Sequence, residues 1–122
     1  SVVDELVTQD GLRPGDRAID IGCGNGAVSI RLADRFGIAV EAVEMDPAMA
    51  ELARERTREH SGLNVQEAPA GPILRRGTPW DLIVCLGATD PSNEGLREPS
   101  EMMAAVGQAL RPGGWLLWGD LV

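Results

Sequence analysis

Apolar and polar positions fall into two alternating rhythms along the chain. Short runs that are apolar almost throughout predict buried strands at Arg17 to Ile21, Ile38 to Glu44, Leu63 to Glu67, Trp80 to Leu86 and Trp115 to Val122. Between them, apolar residues return at helical spacing. Val2, Val3, Leu6 and Val7 mark a short amphipathic helix, and Val28, Ile30, Leu32, Ala33 and Phe36 mark a longer one ended by Gly37. Asp46 is placed to cap a third helix, with Pro47 at its first position, where the missing N–H had no partner to lose. That helix runs to about His60, with Glu51/Arg54 and Glu55/Arg58 as expected pairs on its wet face. Ser100 is a candidate cap for a fourth helix through Leu110. Ala68 to Pro79 and Gly87 to Pro99 are expected to be loops, and Arg111-Pro112-Gly113-Gly114 a tight turn.

Strand and helix thus alternate five times, with crossovers long enough for βαβ units. Near-continuous apolar strands require a sheet covered on both faces. The expected fold class is α/β: a doubly wound, mostly parallel sheet with helices on both faces, in one domain spanning residues 1–122.

Composition narrows the function more than the fold. With 122 residues, 43% of them hydrophobic, the chain can bury roughly two-thirds of its unfolded surface without disulfides or metals. Nineteen Asp and Glu face eleven basic residues, all of them Arg, for a net charge of −8. Binding to nucleic acid relies on cations that displace counterions from phosphates, so this balance argues against a nucleic-acid partner and favours a small or cationic one. Cys23 and Cys85 lie in apolar or glycine-rich surroundings, as reduced thiols of a cytoplasmic protein would. No apolar run approaches the ~20 residues of a membrane span, and Ser1-Val2-Val3-Asp4-Glu5 lacks the basic start of a signal peptide.

The chemistry concentrates in Asp20-Ile21-Gly22-Cys23-Gly24-Asn25-Gly26, between the first strand and the helix after it. Glycines there let a ligand approach the backbone, and the following helix offers N–H groups to an anion. Glu44, 22 positions after Gly22, closes the second strand, where a carboxylate can accept hydrogen bonds from both hydroxyls of a ribose. Two cofactor classes fit. Gly22-x-Gly24-x-x-Ala27 satisfies the dinucleotide pattern. Against a nicotinamide dinucleotide stands Asp20, whose charge would repel a pyrophosphate. S-adenosylmethionine brings an ammonium and a sulfonium beside its carboxylate, and so suits that charge.

The chain resembles the class I, Rossmann-like, S-adenosylmethionine-dependent methyltransferases over about residues 10 to 122. Four segments carry the resemblance in order: Asp20-x-Gly22-x-Gly24-x-Gly26; Val43-Glu44-Met45-Asp46-Pro47-x-Met49; Trp80-Asp81-Leu82-Ile83-Val84; and Leu110-Arg111-Pro112-Gly113-Gly114. The resemblance implies that backbone from Gly22 through Cys23, Gly24 and Gly26 holds the methionine end, with Asp20 near its ammonium. It implies Glu44 on the ribose, Met45 on the adenine face, Glu67 or Ala68 at the adenine amino edge, and backbone near Leu86 and Gly87 along the methyl-donor channel. No chemistry is assigned to the Cys23 side chain.

The implied reaction is methyl transfer to a small-molecule acceptor by in-line displacement. Asp90 is a weak candidate for a general base, because it follows the fourth strand at the mouth where an acceptor would sit; a loop cap without chemistry is the competing reading. His60 is expected at the surface, Cys85 in the core, Arg75-Arg76 in a solvated loop, and Trp115 and Trp118 on the sheet faces or at an interface. No His/Cys cluster suggests a metal. The family's sheet has seven strands, and this sequence accounts for five. The apolar fifth strand would then be an edge to be covered by a longer chain, by a second copy in a homodimer, or left bare in a degenerate binding module without catalysis.

Overall fold

The structure, a computed structural model, describes residues 11–76, 79–86 and 99–118. Five parallel strands, β1 (Arg17–Ile21), β2 (Ala39–Glu44), β3 (Leu63–Glu67), β4 (Trp80–Cys85) and β5 (Leu110–Trp118), form one sheet in the order β3-β2-β1-β4-β5. Four helices intervene: α1 (Ala27–Phe36), α2 (Pro47–Thr57), α3 (Ala70–Arg75) and α4 (Pro99–Ala109). The chain steps from β1 outward to β3, then crosses back over β1 to β4 and β5. With right-handed crossovers, that reversal puts α1 and α2 on one face and α3 and α4 on the other. The doubly wound parallel sheet expected from the alternation is the fold observed.

Strand alternation divides the core accordingly. Ala18, Val40, Leu82 and Val84 pack against Leu32 of α1, with Leu12 and Ile38 completing that layer. Ile19, Ile21, Val43, Ile83 and Cys85 face Ile73 and Leu74 of α3 and Met102, Val106 and Ala109 of α4. Cys85 is fully buried, as expected of a core residue. Coverage of the α3–α4 face stops short of β3, where Glu41, Asn64 and Gln66 replace apolar residues. Glu41 accepts from Asn64 Nδ2 at 2.6 Å and from Gln66 Nε2 at 2.5 Å.

Several boundaries differ from the expectations. The segment 68–79 contains a helix, α3, rather than only loop. Pro72 is its third residue, where the N–H has no intrahelical partner to lose, and burial of Ala70, Gly71, Ile73 and Leu74 outweighs the weak propensity of Gly and Pro. Helix α2 stops at Thr57, whose Oγ1 donates to the Ala53 carbonyl at 2.7 Å, and His60 closes the turn onto the Thr57 carbonyl. Arg54, expected to pair with Glu51, points to Glu67 at the end of β3, 3.7 Å away. Strand β2 begins one residue later than expected and β4 ends one residue earlier.

At the far edge, β5 starts at Leu110 instead of Trp115, so the Arg111-Pro112-Gly113-Gly114 turn is a bulge inside it. Trp80 pairs with Leu110, while Leu82, two residues on, pairs with Trp115. Asp81 ties this edge together, accepting from the Arg17 backbone N–H at 2.7 Å and from Arg111 Nε. Trp115 and Trp118 are 38% and 37% exposed. The helix expected around Val2 to Val7, the end of the fifth strand after Trp118, Gly87 and Asp90 lie outside the described residues. Among the described residues no helix is long and apolar enough to cross a membrane.

Candidate functional site

The order of connection reverses at β1, and the carboxyl ends of β1, β2 and β4 beside that point are the usual place for a ligand in such a fold. The glycine loop fills the near wall. Gly22 and Cys23 both donate their N–H to the Val43 carbonyl, at 2.8 and 3.0 Å, and Gly26 donates to Cys23 O at 3.0 Å. These bonds fold the loop back onto the end of β2.

Glu44 then meets the loop from β2. Its Oε1 accepts from the Gly24 N–H at 2.9 Å and its Oε2 from the Asp46 N–H at 3.0 Å. Each oxygen keeps a further lone pair, so the carboxylate can still take two hydroxyl donors. Gly24 has φ +57, and a Cβ built on it would come within 3.7 Å of Met49 Cε. The thioether of Met49 therefore stands over the loop from the first turn of α2. Asp46 caps that helix, accepting from Ala48 N–H at 3.1 Å, with Pro47 at the first position as the sequence predicted.

Below the loop lies Asp20. Only 3% of it is exposed, and its Oδ2 accepts from Ser29 Oγ at 2.7 Å; Ser29 is itself fully buried on α1. Burial pushes the Asp20 carboxyl up to about 6; the Ser29 bond pulls it down, and the charge of Glu44 pushes it further up. The site thus holds a half-buried carboxylate and a buried one beside a glycine loop, a distribution that matches a ligand with hydroxyls at one end and a cation at the other.

The structure brings Asp20, Gly22, Cys23, Gly24, Gly26, Glu44 and Met45 together at these strand ends, with Met45 half-buried directly after Glu44. Glu67 and Ala68 lie one strand further out. The Glu67 carboxylate lies 3.7 Å from Arg54 Nη1, and Ala68 donates its N–H to the Glu44 carbonyl at 3.1 Å. Leu86, half-buried, follows β4 on the other side of β1. The sequence reading misses Ser29, and it places Met49 in a motif without giving it a role. Ser29 had a visible signal: with Leu32, Ala33 and Phe36 it shares one helical face, and a polar residue on a buried stripe needs a partner.

Two other features are not sites of this kind. A cavity of about 310 Å³ opens at the amino ends of the strands, lined by Arg17, Val40, Glu41, Leu63, Asn64 and Trp80. Its polar groups are largely satisfied by one another, since Glu41 takes both amides and the Arg17 guanidinium stacks 4.8 Å over the Trp80 ring. His60 is held by Asp34, with Nδ1 2.7 Å from Oδ2, on the surface between α1 and the turn after α2. Among the described residues no three His, Cys, Asp or Glu are grouped as metal ligands.

Comparison with known proteins agrees with this fold. A family model described as a methyltransferase domain matches residues 18–114. A ubiquinone biosynthesis O-methyltransferase from Burkholderia thailandensis is 31% identical over 111 residues, covering 88% of this chain and 45% of that protein. Among solved structures, an S-adenosylmethionine-dependent methyltransferase from Geobacter sulfurreducens, in complex with S-adenosylhomocysteine, superposes with a TM-score of 0.74 at 23% identity, over 93% of this chain and 45% of that one. A precorrin-8w decarboxylase from Methanobacterium thermoautotrophicum also superposes at 0.74, with 22% identity, over 94% of this chain and 59% of that one. The chain spans about half the length of the curated relatives it matches.

Proposed function

Since the chain belongs to the methyltransferase-domain family, we propose that it binds S-adenosylmethionine at the carboxyl ends of β1 and β2 and takes part in methyl transfer to a small-molecule acceptor. The observation that carries this reading is Glu44, fixed by the Gly24 and Asp46 N–H groups with one lone pair left on each oxygen. The residues present suit the cofactor at both ends. Glu44 would hold the ribose hydroxyls, and the glycine loop and Asp20 would face the methionine end, with Asp20 toward its ammonium. Met45 would pack on the adenine, and backbone after Leu86 would line the path to the acceptor.

When bound, the cofactor supplies a methyl group already activated on a sulfonium. The chain's own residues bind, orient and keep water out, so that nucleophile, carbon and sulfur can align. The net charge of −8 speaks for an acceptor other than nucleic acid, and two thiols without a disulfide suit a reducing, cytoplasmic setting. A second reading is a module that binds the cofactor without transferring methyl, since a fold does not fix a reaction.

Calorimetric titration with S-adenosylhomocysteine, with NAD in parallel, tests the binding. Saturable binding of S-adenosylhomocysteine, weakened at least about 30-fold in Glu44→Ala, is expected, because hydrogen bonds to a charged group each contribute about 1.5–3 kcal/mol. Binding of NAD alone would sink the proposal. Turnover assays on the intact protein then separate the two readings.

A further inference from the structure

The buried Asp20–Ser29 pair has a geometry that the fold alone does not require. A serine in the first turn of a helix usually bonds to nearby backbone. Ser29 instead reaches nine residues back to β1 and donates at 2.7 Å to Asp20 Oδ2, with both residues at least nine-tenths buried. The other carboxylate oxygen, Oδ1, accepts no hydrogen bond from the described residues. One oxygen is therefore anchored from the α1 side, near the end of the strand that leads into the glycine loop.

We infer that Ser29 is a positioning residue for the cationic end of the ligand: its hydroxyl fixes the Asp20 carboxylate so that Oδ1 meets the ligand's ammonium group. The inference rests on the proposed cofactor site and assigns one of its contacts a support that no cofactor atom touches.

The surroundings make that support matter. Asp20 pairs in register with Ala42 of β2 and Val84 of β4, both apolar. The charged group acting on it is Glu44 at the end of β2, a like charge that disfavours ionisation. Arg31, Asp34 and Arg35 of α1, Glu51, Arg54, Glu55 and Arg56 of α2, and Arg58 just after it, are turned to solvent. Cys23 and Cys85 are the neighbouring thiols on the loop and on β4. Burial and Glu44 both push Asp20 toward its neutral form, and the Ser29 hydroxyl is the group that opposes them. Removing that hydroxyl leaves the carboxyl protonated at higher pH and free to turn.

The experiment compares two ligands across pH 5.5 to 8 on the intact protein. S-adenosylhomocysteine carries the ammonium; 5′-methylthioadenosine has the same nucleoside and thioether and lacks the amino-acid end. In wild type, affinity for the first should fall as pH drops through about 6, where Asp20 takes a proton, while affinity for the second stays level. In Ser29→Ala, affinity for S-adenosylhomocysteine at pH 7 should fall about tenfold, its fall-off should move to higher pH, and 5′-methylthioadenosine should be unaffected. Ser29→Cys keeps the volume with a weaker donor, and should lie between the two. Equal weakening of both ligands at every pH, or no effect on either, would show that Ser29 only packs and would overturn the inference. Wild-type protein that binds neither ligand overturns the cofactor reading, and this inference with it.

Discussion

Two glycine turns punctuate this fold, and they serve opposite ends. The loop after β1 and the bulge within β5 both look from sequence like places where the backbone needs freedom. Their surroundings differ. A Cβ on Gly114 would come within 3.0 Å of Arg111 O, 3.1 Å of Trp80 O and 3.2 Å of Asp81 O, a space already filled by the neighbouring strand. A Cβ on Gly24 would meet only the flexible end of Met49, at 3.7 Å. The first glycine exists so that two chain segments can touch. The second keeps a concavity open and its N–H aimed at Glu44. What a missing side chain would strike separates a structural glycine from a binding one, and motif spacing alone does not.

The same contrast extends to charge. Beneath the binding loop, a carboxyl is buried at a cost; beside the structural bulge, Asp81 is only half-buried and is satisfied by two donors. The largest expected effect follows. Asp20 has a folded-state value near 6 against 3.8 for an exposed carboxyl. A raised value means the native state binds the proton more tightly, so stability declines as pH rises from about 4 to 6 and stays lower above that. Asp20→Asn should therefore stabilise the protein by up to about 3 kcal/mol at pH 7.5, an advantage that shrinks below pH 6 and vanishes near pH 4, while binding of S-adenosylhomocysteine is lost. Thermal melts at the two pH values check it, and a constant difference would mean that the charge is not what costs stability.

Next, Gly114→Ala should destabilise by about 2 kcal/mol through overpacking, with cofactor affinity within about twofold of wild type. Gly24→Ala should reverse the pattern: about 1 kcal/mol of stability for a left-handed residue, and about a tenfold loss of affinity as the Gly24 N–H shifts from Glu44. Denaturant titration beside calorimetry on both variants would break the comparison if the two profiles coincided. The smallest effect belongs to Asp81→Asn. It keeps the acceptor for the Arg17 N–H and loses the charge facing Arg111, and should cost about 0.5–1 kcal/mol, less at high salt.

Much of this was legible in the sequence because the signals were local. The cap at Asp46 with Pro47 behind it, the stop at Gly37, and the apolar strands of a two-faced sheet are each decided within a few residues. Glu44 could be placed because the length of a βαβ unit sets the distance from the glycine loop to the end of β2. The failures were tertiary. Helix α3 carries Gly71 and Pro72 in its first turn and forms because Ile73 and Leu74 have a core to enter. Strand β5 gains Leu110 because Trp80 pairs with it across a bulge that no propensity announces. Ser29 was overlooked although its polarity on a buried stripe was visible, since only the fold shows that its partner is Asp20.

The tether on Glu44 has a thermodynamic consequence. A glutamate carries three side-chain torsions, and ordering them costs up to about 2 kcal/mol. Here two backbone N–H groups already hold the carboxylate proposed to take the ribose hydroxyls. That loss of disorder is charged to folding and not to association, so a ligand meets a receptor whose acceptors are already frozen in register and forfeits little motion but its own.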